Sequence, residues 1–190
     1  RGFIAPHNDN DPHIVYEGQL AVIVDYQSAS ASEIFAAAIQ DYNRGIILGG
    51  QTFGKGTVQK AFDLNKVFRN IPVKLGQIKF TNAKFYRVNG SSTQHVGVIP
   101  DITMPLYYDA EEIGESSHPN ALLWDKVTPV YFEDYQIVSD EINQLAMEHN
   151  IRIANDTLYT EYIEDIKEFK KIRKESNISL NEEKRKKEHE

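Results

Sequence analysis

The spacing of apolar positions changes along the chain, and each change marks a different kind of element. Leu20-Ala21-Val22-Ile23-Val24-Asp25 is a continuous β-branched run, which predicts a strand buried on both faces. From Ser28 to Arg44 the residues Ile34, Phe35, Ala38, Ile39 and Tyr42 recur at helical spacing, so a helix is expected there. Asn43-Arg44-Gly45 closes it, with the glycine expected in the left-handed cap. Ile46-Ile47-Leu48 reads as a second buried strand, followed by a glycine-punctuated turn over residues 49–56. Strand, helix and strand at this spacing make a βαβ unit, so the two strands should run parallel with a right-handed crossover.

Upstream, residues 1–19 are rich in Pro, Asn and Asp between and around Pro6 and Pro12. They read as a surface loop leading into a short strand at residues 14–16. Downstream, residues 57–105 are strand-like: Val58, Ala61 and Leu64, then residues 78–82, then residues 83–88. Turns are expected at Asn89-Gly90 and at Gly97-Val98-Ile99-Pro100-Asp101. A break rich in acidic residues, Ser and Gly follows at residues 107–120. Beyond it the pattern is helical, with Ile137, Val138, Ile142 and Leu145 on one helix and Leu158, Tyr162, Ile166 and Phe169 on another. There is no internal repeat. The expected architecture is an α/β core over residues 1–110 and a helical extension over residues 111–190.

This topology has a chemical consequence. Loops leaving parallel strands emerge at the carboxyl edge of the sheet, where open α/β sheets usually carry their sites. Ser28-Ala29-Ser30-Ala31-Ser32 leaves the first strand and Thr52-Phe53-Gly54-Lys55-Gly56 leaves the second, so serines and a lysine share one edge. The serine run opens a helix, whose free N–H groups and partial positive charge suit an oxyanion formed in acyl transfer. The same residues have a purely structural reading: Ser30-Ala31-Ser32-Glu33 fits a capping box with Ser30 as N-cap. Lys55, between two glycines, lies in a loop that a ligand can approach closely, and it also reads as a solvated lysine on a turn. As a base near neutral pH a lysine must give up its charge, which apolar burial favours and a neighbouring carboxylate opposes. Gln59 should point to the same side as Lys55 and Thr57, where a neutral carbonyl can orient an amine without holding a proton on it. Ser30, Lys55 and Gln59 thus form a candidate nucleophile, base and orienter, with Ser28 and Ser32 still open as alternatives to Ser30.

A rival reading comes from Gly49-Gly50-Gln51-Thr52-Phe53-Gly54-Lys55, which matches most of a phosphate-binding loop and follows a strand. Gly56 stands where that loop needs a hydroxyl for magnesium, and residues 57–62 alternate like a strand where a helix is required. A further alternative is a non-catalytic interaction module in which Lys55 stays solvated and charged.

Composition trims the possibilities. A net charge of −7 argues against a nucleic-acid partner. The basic run Lys184-Arg185-Lys186-Lys187 sits among Glu182, Glu183, Glu188 and Glu190 and reads as a solvated helix face. The absence of cysteine excludes disulfides, thiolate metal sites and a cysteine nucleophile. His7, His13, His95, His118, His149 and His189 include no pair at ligand spacing, so neither metal nor cofactor is expected. Trp124 and the tyrosines read as packing residues. No apolar run approaches a membrane span and no signal peptide is visible. The opening Arg1-Gly2-Phe3 reads as the start of an excised piece of something longer.

Three blocks, Ser28-Ala29-Ser30-Ala31-Ser32-Glu33-Ile34-Phe35-Ala36-Ala37-Ala38, Gln40-Asp41-Tyr42 and Thr52-Phe53-Gly54-Lys55-Gly56-Thr57-Val58-Gln59, closely resemble the C-terminal processing peptidases. The pattern is nearest to their tail-specific (Prc/Tsp) branch. Lys84-Phe85-Tyr86-Arg87-Val88-Asn89-Gly90, Ser92-Thr93-Gln94, Gly97-Val98 and Pro100-Asp101 carry the likeness further. Ala121-Leu122-Leu123-Trp124-Asp125 and Glu148-His149-Asn150-Ile151-Arg152-Ile153-Ala154 continue it more weakly. The resemblance implies Ser30 as nucleophile rather than Ser28 or Ser32, Lys55 as base, Gln59 as its support and the Ala31 N–H as one oxyanion donor. It implies part of a ClpP/crotonase-like protease core with a helical C-terminal extension. The implied activity is serine-type endopeptidase action on proteins with apolar C-terminal tails, without cofactor, in a bacterial periplasm or cell envelope. It also implies a peptide-binding PDZ domain and the first part of the protease core, with a second oxyanion donor, ahead of Arg1. Without them this piece is expected to hold the Ser-Lys dyad but not to turn over substrate.

Overall fold

The computed structural model describes residues 8–11, 13–135, 141–175, 177 and 179–187. Expectations placed on Arg1, Gly2, Phe3, Pro6, His7, Pro12, Ile137, Val138, Glu188, His189 and Glu190 lie outside the described residues. In chain order the elements are β1 (Ala21–Val24), α1 (Ala31–Asp41), β2 (Ile46–Gly49), β3 (Thr57–Asp63), α2 (Leu64–Val67), β4 (Gln77–Lys84), β5 (Ile102–Thr103), α3 (Ala110–Ile113), α4 (Ile142–Ala154), α5 (Thr157–Lys174) and α6 (Glu182–Lys187).

The expected βαβ unit is present. β1 and β2 pair in parallel, with Ala21 opposite Ile46 and Val24 opposite Gly49, and β5 joins the other side of β2, also parallel. Side chains alternate along a strand, so Val22 and Val24 face α1 together with Ile47. Ala36, Ala37 and Val98 complete that cluster, with Ile39 packed against it. The alanines matter because they carry no bulk, letting the helix lie close on the sheet. Asp101 locks the layers together: its carboxylate accepts from Ile47 N at 2.7 Å and from Gln40 Nε2 of α1 at 2.7 Å.

Several expectations need correction. β1 is not buried on both faces, since Ile23 is 77% exposed on the side away from α1. A continuous apolar run is the same whether one face or two is covered. Residues 14–16 form no strand. α1 starts at Ala31 rather than Ser28, because Ser28 is held in a turn by Asp25, to whose Oδ1 its N–H donates at 3.2 Å. The helix closes on Asn43, the residue with positive φ (48°), while Arg44 N reaches back to Ile39 O at 3.0 Å. Gly45 is needed for a different reason: a Cβ there would sit 2.6 Å from Leu20 O. β3 and β4 form one antiparallel hairpin with a bulge between Val58 and Gln59, so residues 77–84 are a single strand and residues 85–88 leave it. Leu64 belongs to α2, not to a strand.

Beyond α3 the chain does not turn helical at once. Residues 118–135 run irregularly across the core. Trp124 Nε1 donates to Ser92 O at 3.0 Å, Val127 N to Gly90 O at 2.8 Å, and Tyr135 N to Tyr42 O at 2.8 Å. Asp125 pairs with Lys84, and that hydrogen bond holds its carboxyl below the ordinary aspartate range. The later helices fit their pattern in part. On α5, Ile166 is buried, Phe169 packs edge-on to Tyr107 and Tyr108, and Tyr162 Oη donates to Pro105 O at 3.1 Å, whereas Leu158 is exposed. Lys170–Asp109 and Arg173–Glu112 pairs, each 2.7 Å, fix the same face. No helix among the described residues is long and apolar enough to cross a membrane.

Ile47 is fully buried at the centre of the helix–sheet contact. Ile47→Ala is expected to cost about 2–5 kcal/mol, seen as a lower urea midpoint; an unchanged midpoint would place the core elsewhere.

Candidate active site

One carboxylate gathers the carboxyl edge of the sheet. Glu33, in the first turn of α1, is fully buried. Its Oε2 accepts from Ser30 N at 2.8 Å and from Lys55 N at 2.8 Å. Its Oε1 accepts from Thr52 Oγ1 at 2.6 Å and from Gly54 N at 2.7 Å. The bond to Ser30 is the glutamate half of the expected capping box. The other three reach across to the loop leaving β2. Since Ser30 N and Lys55 N share a single oxygen, the two backbones are held side by side as the βαβ topology predicts.

The structure separates the three serines. Ser28 is engaged by Asp25, whose N–H donates to Ser28 Oγ at 3.2 Å. Ser32 lies inside the first turn of α1 and is exposed. Ser30 alone has a positive φ, 58° with ψ −113°, at the helix N-cap. An L residue in that region is strained by roughly 1–3 kcal/mol, and such strain concentrates at functional sites. It presents the residue on a sharp strand-to-helix turn. The next N–H, that of Ala31, has no partner among the described residues.

Lys55 is partly buried, and its amine makes neither an ion pair nor a hydrogen bond among the described residues. It lines a surface pocket with Ala29 and Gln59, while Thr57 is buried outside that pocket and the bulge just before Gln59 breaks the simple alternation along β3. No hydrogen bond joins the Lys55 and Gln59 side chains. The far wall is unexpected: Glu115 and His118, from the acidic stretch after α3, line the same pocket, and His118 packs against the Phe53 ring at 6.4 Å. The phosphate-loop alternative fails structurally, because Gly56 leads directly into β3.

Residues 5–104 match peptidase family S41, and residues 108–190 match the C-terminal domain of tail specific protease. The chain belongs to peptidase family S41. The resemblance seen in the serine and lysine blocks is therefore borne out. A tail-specific protease of Haemophilus influenzae is 45% identical over 181 residues, spanning 94% of this chain and 26% of its own length. A carboxy-terminal-processing protease of Bartonella bacilliformis is 40% identical over 88 residues, 46% of this chain and 18% of its own. Among solved structures, the photosystem II D1 C-terminal processing protease is 34% identical with a TM-score of 0.38, covering 48% of this chain and 20% of that one. This S41 chain thus spans about a quarter of the length of its Haemophilus relative.

The residues that spacing alone did not single out are those that hold the two loops in place. Thr52, 1% exposed, gives its hydroxyl proton to Glu33 and accepts from Val98 N at 2.7 Å. Asp41, at the end of α1, receives a two-pronged Arg87 pair at 2.6 and 2.9 Å and Asn89 Nδ2 at 2.9 Å. The blocks containing Asp41, Arg87 and Gln94 carried the family likeness without assigned roles. Their partners are distant in sequence and left no local pattern to read.

Glu33→Gln removes one acceptor oxygen and turns an amide NH2 toward two N–H or O–H donors. Leaving buried donors unmatched should destabilise the fold by about 1–3 kcal/mol and loosen the residue 52–56 loop. Denaturant unfolding and limited proteolysis measure both, and wild-type values in each would show that the loop does not depend on this carboxylate.

Proposed function

We propose that this chain carries the catalytic dyad of a tail-specific serine endopeptidase, with Ser30 as nucleophile and Lys55 as general base. The observation that carries this reading is the shared Glu33 oxygen, which holds Ser30 N and Lys55 N at 2.8 Å each. The strained turn at Ser30 and a Lys55 amine without a partner among the described residues support it. In the reaction, the neutral Lys55 amine takes the proton from Ser30 Oγ as that oxygen attacks a peptide carbonyl. The tetrahedral oxyanion is met by the Ala31 N–H at the positive end of α1. The lysine ammonium then gives its proton to the departing amine, and a water activated by the same amine releases the acyl enzyme. Gln59, in the pocket with Lys55, orients the amine without adding charge.

The substrates we assign are proteins with apolar C-terminal tails, in the periplasm or cell envelope of a bacterium. A division near residue 110 between protease core and C-terminal domain accords with the two family matches. A PDZ domain and the rest of the core belong to the same reading of the whole protein. A groove along α1 lined by Ile34, Ala37 and Ala38 and by Phe85 and Val88 is our candidate for holding substrate side chains.

In the full-length protein, a serine-directed acylating probe should label the wild type and not Ser30→Ala. Lys55→Met should slow peptide hydrolysis by at least about 100-fold, the usual contribution of a positioned base. Equal labelling of Ser30→Ala, or full hydrolysis by Lys55→Met, would overturn the assignment.

A further inference from the structure

The loop bearing Lys55 is gripped from two sides, and only one of them belongs to the βαβ unit. Glu33 holds Gly54 N and Lys55 N from the α1 side. On the other side stands the turn that follows α3, within the stretch matching the C-terminal domain of tail specific protease. Glu115 N donates to Phe53 O at 2.8 Å. Its side-chain Oε1 accepts from Gln94 Nε2 at 3.1 Å, and Gln94 Oε1 in turn accepts from Gly56 N at 2.9 Å. Gln94 is fully buried, and its Nε2 also reaches Leu122 O at 3.0 Å. The contact is close by construction: a Cβ on Gly114 would sit 2.5 Å from Phe53 O. Glu115 therefore acts on both residues that bracket Gly54 and Lys55, directly on Phe53 and through Gln94 on Gly56.

We propose that Glu115 is a positioning residue for Lys55, so that the C-terminal domain completes the active site. The proposal rests on Lys55 being the base. Glu115 does not touch the reacting atoms; it sets where the amine stands. A buried amide such as Gln94 has two possible orientations, and the Glu115 carboxylate and Leu122 O, both facing its NH2 end, select the one that turns the carbonyl oxygen to Gly56 N. Losing the carboxylate leaves Leu122 O as the one remaining anchor of that end and lets Gly56, and Lys55 with it, shift. Small displacements of a catalytic group are costly, a misplacement of about 1 Å being worth up to about 100-fold in rate.

The test compares Glu115→Ala, Glu115→Gln and Glu115→Asp in the full-length protein, using a tail-bearing peptide and reading kcat, KM and melting temperature. Glu115→Ala should lower kcat about 10-fold with KM within about two-fold, as expected when an interaction serves the chemical step rather than binding. Glu115→Gln keeps an oxygen for Gln94 and should restore kcat to within about three-fold of wild type, whereas Glu115→Asp, shorter by one methylene, should stay slow. Wild-type kcat in either the Ala or the Asp variant, or a Gln variant as slow as the Ala variant, overturns the proposal. If the Ala variant does not fold, the contrast between Gln and Asp decides alone. Lys55→Met separates the two readings. A fully active Lys55→Met sinks the base assignment itself, whereas an inactive Lys55→Met beside a fast Glu115→Asp sinks only the role of Glu115.

Discussion

Everything at the carboxyl edge of this sheet depends on a buried carboxylate finding enough donors. Taking a carboxyl group out of water is unfavourable unless its oxygens are matched. Glu33 meets that demand with one hydroxyl and three backbone N–H groups, two donors on each oxygen. Because the donors come from both the Ser30 turn and the residue 52–55 loop, satisfying the carboxylate forces two sequence-distant segments into register. The strained backbone at Ser30 is sustained the same way. Its N–H is tied to Glu33, so relaxing φ toward a common value would detach a buried acceptor.

The rest of the molecule can be understood as buttressing that edge. The α1 alanines and Ile47 set the distance between helix and sheet, which sets where Glu33 stands over the second loop. Asp101 ties β2 to α1 through Ile47 N and Gln40, and Arg87, just beyond β4, grips the same end of the helix through Asp41. The irregular residue 118–135 segment adds backbone hydrogen bonds at Gly90 and Tyr42 and packs Phe132 and Tyr135 against the Tyr42 ring.

Much of this was legible from residue spacing. The βαβ unit followed from two apolar runs flanking a helical repeat, and the placing of the Ser30 and Lys55 backbones at one edge of the sheet followed from topology. The Ser30–Glu33 box was visible because capping is local. The longer reach of Glu33 was not, since a capping glutamate reads the same whether or not a second loop docks on it. Asn43 and Gly45 are both residues that tolerate helix ends, and only the close approach of Leu20 O shows why glycine was needed at the second. Ile23 misled because hydrophobicity reports what a face prefers, not what covers it. Glu115 and His118 lay in a stretch whose acidic, Ser- and Gly-rich composition resembles a linker. Their part in the Lys55 pocket depends on one backbone hydrogen bond and one amide relay, and neither leaves a periodic signature.

The downstream turn around Gly114 and Glu115 has a consequence for biosynthesis. A chain emerging from the ribosome presents its N-terminal parts first, so the Lys55 loop is made, and can dock on Glu33, well before its second set of hydrogen-bond partners exists. Until that later stretch has emerged and wrapped back, Phe53 O lacks its partner and the Gln94 amide that holds Gly56 N lacks its contact with Glu115. Made in that order, the Lys55 loop is held from the α1 side first and gains its contact with Glu115 only after the later stretch has folded back.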